Sequence, residues 1–222
     1  MPLIIVTGLP CSGKSTTSKI LLEYIKKRLL EENNTLKARI VTDDDSLNWD
    51  GRDSIFGSIA KEKDLRSSLR SEAARYVNLN QIVILDAPAY IKGFRYELHC
   101  MAKEAKTQYC VVELLVNKDL CWLRNQKRME QRQDARLSDP DAPDPGYQRG
   151  TFDALLMRYE KCEENNRWDS PLFRVTEPAE EIDESILEKV FDAITKDQPL
   201  VPNKSTTQLM STTTIYKPVK RS

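Results

Sequence analysis

The clearest chemical signal in the sequence is a phosphate-binding loop near the N-terminus. Residues 8–15, Gly-Leu-Pro-Cys-Ser-Gly-Lys-Ser, fit the pattern G-x-x-x-x-G-K-[ST] at every fixed position. In this pattern the glycines let backbone N–H groups turn toward phosphate oxygens, the lysine reaches the β- and γ-phosphates and the hydroxyl binds Mg²⁺. The sequence therefore predicts a nucleoside triphosphate site built from Gly8, Leu9, Pro10, Cys11, Ser12, Gly13, Lys14, Ser15 and Thr16.

Acidic residues follow two other apolar segments, where they are placed to act on the same ligand. Asp86 ends the run Gln-Ile-Val-Ile-Leu-Asp, and Asp43, Asp44 and Asp45 follow the predicted strand over residues 38–42. The carboxyl ends of parallel strands face the ligand crevice of a sheet. We therefore expect Asp86 to hold Mg²⁺ together with Ser15. One of the three consecutive aspartates is predicted to orient a water or hydroxyl toward the γ-phosphate, and the pattern leaves open which one.

A run of arginines points to a lid over the nucleotide. Arg124, Arg128, Arg132 and Arg136 recur every four residues, so they share one face of a predicted helix. The proline-rich residues 138–150 and a further helical stretch follow. Lid arginines stabilise the charge of a transferring phosphoryl group. We place this lid at about residues 122–166, while a solvent-exposed charged face is the alternative interpretation.

The elements that must position these residues alternate along the chain between short apolar runs and longer amphipathic ones. Alternation of this kind is typical of a parallel sheet covered by helices. We predict an α/β fold of the P-loop NTPase class, with about five strands, helices on both faces and a helical lid. The predicted strands are residues 3–7, 38–42, 81–85, 109–116 and 172–175, and the predicted helices are about 13–31, 58–79, 94–106, 119–136, 150–163 and 183–196.

Composition limits the remaining possibilities. The 222 residues hold 34 Lys+Arg and 34 Asp+Glu, which excludes a uniformly basic protein that coats nucleic acid. The net charge of zero results from opposite charges in two parts of the chain. Residues 196–222 carry five basic residues and one acidic residue, so the rest of the chain is acidic. Residues 196–222 are rich in Ser and Thr, so we predict an ATPase domain over 1–196 and a flexible linker or tail over 197–222. No apolar stretch approaches the roughly 20 residues of a membrane helix, so no membrane partner is expected.

Three motifs together resemble a known family. These are residues 1–15, the run from Tyr90 to Cys100, and Asn-Arg-Trp-Asp-Ser-Pro-Leu-Phe at 166–173. They look like the Elongator-associated killer-toxin-insensitivity ATPase family, which is similar to the kinase of seryl-tRNA. In the last motif we expect Trp168 to dock on the core, and Arg167 or Asp169 to form a polar anchor.

The resemblance implies an enzyme that hydrolyses ATP with Mg²⁺, binds tRNA and supports Elongator, which modifies wobble uridines of tRNA. It favours Asp44 as the acidic residue after the second strand, with Asp43 next. Arg124 and Arg128 fall where the family has lid arginines, and Lys92, Arg95 and Arg132 are candidate contacts to phosphate or tRNA. The family's C-terminal tRNA-binding region is expected to lie outside this chain. The expected location is the cytoplasm, with the nucleus as a second site.

Two other functions fit the same pattern. One is a kinase that phosphorylates an aminoacyl-tRNA or a small hydroxyl compound, since its phosphate loop, carboxylates and lid would look alike. The other is a nucleotide-dependent binding module with little turnover. ATP is favoured over GTP, because Asn117-Lys118-Asp119 lacks the spacing of the Asn-Lys-x-Asp pattern that selects guanine.

Overall fold

The structure is a computed structural model that describes residues 2–43, 51–78, 81–138, 146–176 and 182–196, without the side chains of residues 78 and 132–138. Asp44, Asp45, most of the proline-rich segment and the predicted tail lie outside the described residues, as do the side chains of Arg132 and Arg136. The predictions made for them stay predictions.

Five parallel strands form one sheet, as the apolar runs predicted. They are β1 (Leu3–Gly8), β2 (Lys37–Thr42), β3 (Gln81–Asp86), β4 (Tyr109–Leu114) and β5 (Leu172–Val175), in the spatial order β2-β3-β1-β4-β5. Strands covered on both faces read as continuous apolar runs, and residues 3–6 of β1 are fully buried. The sheet order reverses beside β1, and ligands bind in open parallel sheets at such a switch point.

Helices cover this sheet, and two of them fall in the range predicted to form a lid. The helices are α1 (Lys14–Glu31), α2 (Arg52–Phe56), α3 (Ile59–Asn78), α4 (Lys92–Glu104), α5 (Lys118–Ser138), α6 (Arg149–Arg158) and α7 (Glu184–Thr195). The short helix α2 was not predicted. Helix α6 ends at Arg158, five residues before the predicted end, and β4 ends at Leu114 rather than at residue 116.

Apolar stripes hold the helices against the sheet. On α1 the stripe is Leu21, Ile25 and Leu29, all at most 3% exposed. The ring of Phe191 on α7 meets the ring of Tyr24 on α1 edge-on, with 6.5 Å between centroids. Burying one such side chain stabilises a fold by about 1.5–3 kcal/mol. This packing fixes the direction of α1 and therefore of its N-terminus.

Among the described residues, the helices lack the combination of length and apolar composition needed to cross a bilayer.

Candidate functional site

The phosphate loop connects the end of β1 to the start of α1 in a backbone shape that needs glycine. Gly13 precedes α1 with φ 100°, a left-handed conformation, and Gly8 has φ 154°. A Cβ on Gly8 would lie 2.9 Å from Ser12 Oγ and 3.1 Å from the carbonyl oxygen of Leu114. Any larger residue at position 8 would therefore displace the loop or the end of β4. The resulting loop aims the N-terminus of α1 at the cavity.

Lys14 lies at the mouth of this loop. Its Nζ donates hydrogen bonds to the carbonyl oxygens of Leu9 at 2.9 Å and Gly8 at 3.4 Å. Burial lowers the pKa of the Lys14 ammonium, and the nearby Asp86 and Asp43 oppose that shift. The ammonium and the two carboxylates therefore share one electrostatic environment, in which an anionic ligand would add to the stabilisation of the lysine charge.

The sheet brings the two acidic strand ends to this loop. Asp86 pairs in register with Val6 of β1 on one side and with Thr42 of β2 on the other, and its side chain is 6% exposed. Asp43 follows Thr42 directly, and both carboxylates line one cavity with Lys14 and Ser15. A hydroxyl and carboxylates are hard oxygen ligands, which Mg²⁺ uses together with phosphate oxygens. The residues present therefore fit a phosphate-bound Mg²⁺ ion.

Helix α5 lies directly against the loop. Arg124 Nη1 donates to the carbonyl oxygen of Ser12 at 3.2 Å, and Arg128 lines the cavity one turn further along. Asn125, between them, is fully buried and hydrogen-bonds to the backbone of Tyr147. The structure thus brings Arg124 and Arg128 together with the phosphate loop.

Lys92 and Arg95 have different environments. Lys92 at the start of α4 is 37% exposed and its Nζ donates to Glu163 at 3.3 Å, so its proposed role in contacting phosphate or tRNA stays a prediction. The expectation that Arg95 faces phosphate or tRNA is wrong. Its side chain is fully buried and its Nε donates to Asp169 at 2.7 Å.

Arg95 is buried because of the face of α4 on which it lies. Arg95 falls on the same face of α4 as the buried Leu98 and Ala102, at spacings of three and seven residues. Asp169 is then the polar anchor predicted for the Trp-Asp motif. Removing one partner of a fully buried ion pair leaves an uncompensated charge, which costs about 3–5 kcal/mol.

Three buried carboxylates, none of them predicted as a site residue, attach the segment from Arg158 to Asp169 to the rest of the fold. Glu62 on α3 accepts from Arg158 at 2.7 Å and from the hydroxyl of Tyr90. Glu113 on β4 accepts from the Tyr159 hydroxyl at 2.8 Å and the Cys162 N–H at 3.0 Å. The third is Asp169. Glu62 and Glu113 join residues far apart in sequence, so no local spacing indicates them.

The cavity has walls other than the phosphate loop and the two aspartates. Its further walls are Arg52, Pro88, Tyr90, Tyr147, Leu155 and Tyr159. Helix α2 contributes Arg52, and its neighbour Asp53 accepts from the N–H of Gln148 at 3.0 Å. The guanidinium of Arg52 lies 5.7 Å from the ring centroid of Tyr147. Sequence reasoning missed this side of the cavity, because neither the short helix nor the tyrosines carry a recognisable spacing.

Comparison with known proteins places these features in context. The family model described as "Chromatin associated protein KTI12" matches residues 1–217. Protein KTI12 homolog of Danio rerio is 37% identical over 220 residues, which cover 98% of this chain and 71% of that protein. The Arabidopsis thaliana homolog is 37% identical over 217 residues, which cover 94% of this chain and 66% of that protein. The chain thus spans about two thirds of the length of these curated relatives.

Solved structures of related proteins also resemble this chain. The crystal structure of Chaetomium thermophilum Kti12 in complex with ADP-AlF3 is 33% identical in sequence and has a TM-score of 0.73, covering 87% of this chain and 99% of that one. A gluconokinase from Sinorhizobium meliloti 1021 has a TM-score of 0.56 at 14% identity, over 86% of this chain and 94% of that one. Likeness at that identity shows the shared fold alone.

Proposed function

The chain belongs to the KTI12 family, and from this premise we propose that it is a Mg²⁺-dependent ATPase that binds tRNA and supports the Elongator complex in wobble-uridine modification. One observation supports nucleotide binding: the predicted site residues line a single cavity. They are Lys14, Ser15, Asp43, Asp86 and Arg128. The Chaetomium thermophilum relative crystallised with ADP-AlF3 supports the choice of an adenine nucleotide.

In this proposal the loop and its helix hold the triphosphate. Backbone N–H groups of the loop and the N-terminus of α1 bind phosphate oxygens, and the Lys14 ammonium binds the β- and γ-phosphates. Ser15 and Asp86 would hold the Mg²⁺ ion, which when bound neutralises charge on those oxygens. The assignment of Gly8 to Thr16 as nucleotide-binding residues is part of the same proposal.

Hydrolysis further needs an oriented water and positive charge near the γ-phosphate. Asp43 lines the cavity, and Asp44 is the alternative that the family resemblance favours. Either carboxylate would orient the water for attack. Arg124 at the loop and Arg128 in the cavity wall would stabilise the charge that develops on the phosphoryl oxygens.

The tRNA and Elongator parts rest on family membership and on the sequence motifs. Lys92 and Arg132 remain proposed contacts, whereas Arg95 no longer belongs among them. The proposal also takes residues 1–196 as the ATPase domain and residues 197–222 as a flexible linker or tail. The family description, a chromatin-associated protein, supports a nuclear location beside the cytoplasmic one.

The test is phosphate release from ATP by the full-length protein, with and without tRNA. Hydrolysis that needs Mg²⁺ and rises when tRNA is added is the expected result. Hydrolysis that tRNA leaves unchanged contradicts coupling to tRNA. A protein that binds ATP and releases no phosphate under either condition contradicts the ATPase assignment.

A second candidate is phosphoryl transfer to a hydroxyl acceptor. It is favoured by the cavity itself, which is lined by Tyr90, Tyr147 and Tyr159 as well as by the loop and leaves more room than one attacking water requires. Incubation of the protein with tRNA and γ-labelled ATP separates the two functions. Label on tRNA identifies a kinase, and label recovered only as free phosphate identifies an ATPase.

A further inference from the structure

The backbone carbonyl oxygen of Ala89 is shared by two donors from different elements. The hydroxyl of Thr7 on β1 donates to it at 3.1 Å, and Nη1 of Arg95 on α4 donates to it at 2.9 Å. Both side chains are fully buried. Because water does not compete at this depth, each bond restrains the position of the carbonyl more firmly than a surface bond would.

The Ala89 carbonyl is placed between two parts of the site, the phosphate loop after β1 and the acidic end of β3. The site depends on their relative position. Thr7 immediately precedes Gly8, the first residue of the phosphate loop. Ala89 follows Asp86 by three residues, and its neighbours Pro88 and Tyr90 line the cavity. The Thr7–Ala89–Arg95 junction therefore connects the strand end that carries the phosphate loop to the strand end that carries the acidic residue.

Arg95 is itself held in place from the other side. Its Nε donates to Asp169 at 2.7 Å and its Nη2 lies 3.5 Å from the carbonyl oxygen of Lys161. Asp169 Oδ2 accepts a further bond from the Glu163 N–H at 3.1 Å. A guanidinium has a rigid fork of donors, so it binds the carboxylate and the Ala89 carbonyl together, which a lysine ammonium does with much poorer geometry.

We propose that Arg95 is a positioning residue of the nucleotide site. It fixes the Ala89 carbonyl, and with it the segment from Asp86 to Tyr90, relative to the phosphate loop. Arg95 is in turn oriented by Asp169, which belongs to the segment after α6. The proposal rests on the proposed function only in that the cavity binds a Mg²⁺-nucleotide. It assigns a role in that site to a residue that does not reach the ligand.

Two variants test the junction from its two donors. Thr7→Val removes one hydroxyl with little change in volume, and Arg95→Lys keeps the charge while losing the fork. We expect each to weaken binding of ADP with Mg²⁺, measured calorimetrically on the full chain, by about 10-fold, the effect of losing one buried hydrogen bond. In the absence of Mg²⁺ we expect a smaller loss, because the Asp86 segment then contributes less.

The double variant adds a readout that loss of stability alone does not produce. Both bonds end on one carbonyl, so the double variant should lose less ADP affinity than the product of the single losses. Arg28→Lys is the matched control, since Arg28 near the far end of α1 bonds Glu32 at 3.2 Å. It should keep wild-type ADP affinity.

The outcomes separate this proposal from the proposed function. ADP affinity within twofold of wild type in Thr7→Val, whatever its melting temperature, overturns the positioning role. Should Arg95→Lys fail to fold, Thr7→Val decides alone. A wild-type protein that binds no ADP overturns the proposed function, and the positioning role with it.

Discussion

Asn125 and Tyr147 are joined by two hydrogen bonds of 2.8 Å, in which the side-chain amide of Asn125 pairs with both backbone groups of Tyr147. The same amide oxygen lies 3.5 Å from the thiol of Cys11 in the phosphate loop. One buried side chain thus ties the chain entering α6 to the helix that covers the loop. A Cβ on Gly146 would lie 2.4 Å from that oxygen, so this approach needs glycine.

We predict that Asn125→Ala destabilises the protein and loosens the site. It leaves two buried backbone groups unpaired, each worth about 1–3 kcal/mol. For a domain of this size we expect the melting temperature to fall by about 4–24 °C, together with weaker ADP binding. Asn34→Ala, which removes one exposed bond to the Leu36 N–H, is the control and should shift melting by less than about 2 °C. Equal melting of both variants contradicts the role given to Asn125.

Lys14→Ala should abolish ATP turnover. Loss of one charged donor aimed at the reacting group typically lowers a rate on the order of 100-fold or more. Phosphate release under saturating ATP is the measurement. Lys19→Ala removes an exposed lysine from the same helix and should leave the rate unchanged. Phosphate release by Lys14→Ala at the wild-type rate contradicts the proposed site.

Asp86→Asn should raise the Mg²⁺ concentration needed for half-maximal turnover. The amide keeps the size of the side chain but loses the charge, and changes around a metal site commonly cost about 10- to 100-fold in metal affinity. A Mg²⁺ titration at fixed ATP measures the effect. Asp64→Asn, on the exposed face of α3, is the matched control. An unchanged Mg²⁺ requirement in Asp86→Asn removes this residue from the metal site.

His99, the one histidine of the chain, should make stability depend on mildly acidic pH. Burial lowers the pKa of its imidazole below 6.5, and Lys103 and Arg167 add to the shift. Below pH 6.5 the unfolded chain therefore binds a proton that the folded protein resists, so stability falls as pH falls toward the folded pKa. The slope is at most about 1.4 kcal/mol per pH unit.

Urea unfolding at pH 7.5 and 5.5 measures this dependence, with His99→Gln as the comparison. We expect the wild type to lose more stability than the variant over that interval. Equal losses in the two proteins assign the pH dependence to other groups.

The sequence was most informative where chemistry and periodicity coincide. The phosphate loop, the apolar runs and Asp86 at the end of a strand sufficed to predict a five-stranded parallel sheet. Helix α2 was missed because five residues between Gly51 and Gly57 give too few turns for a periodic pattern. The family resemblance and its position after β3 suggested that Arg95 contacts phosphate or tRNA, although its spacing from Leu98 and Ala102 already placed it on the buried face.

Long-range polar pairs could not be predicted. Glu62 and Arg158 are 96 positions apart, and nothing in the local sequence of either shows that the other will be its partner. The energy of such a pair depends on the depth and geometry that the whole fold provides. For the same reason the tyrosine-lined side of the cavity became visible only in three dimensions.

The central position of β1 has a consequence for how the protein is made. This strand is synthesised before both of its partners, because it pairs with Val83–Asp86 and with Tyr109–Leu114. At 5–20 residues per second, the ribosome needs roughly 5 to 20 s after completing the phosphate loop to supply the second of these partners. During that time an uncharged apolar strand is exposed without its neighbours. The nascent chain is therefore expected to need chaperone protection before it gains any affinity for nucleotide.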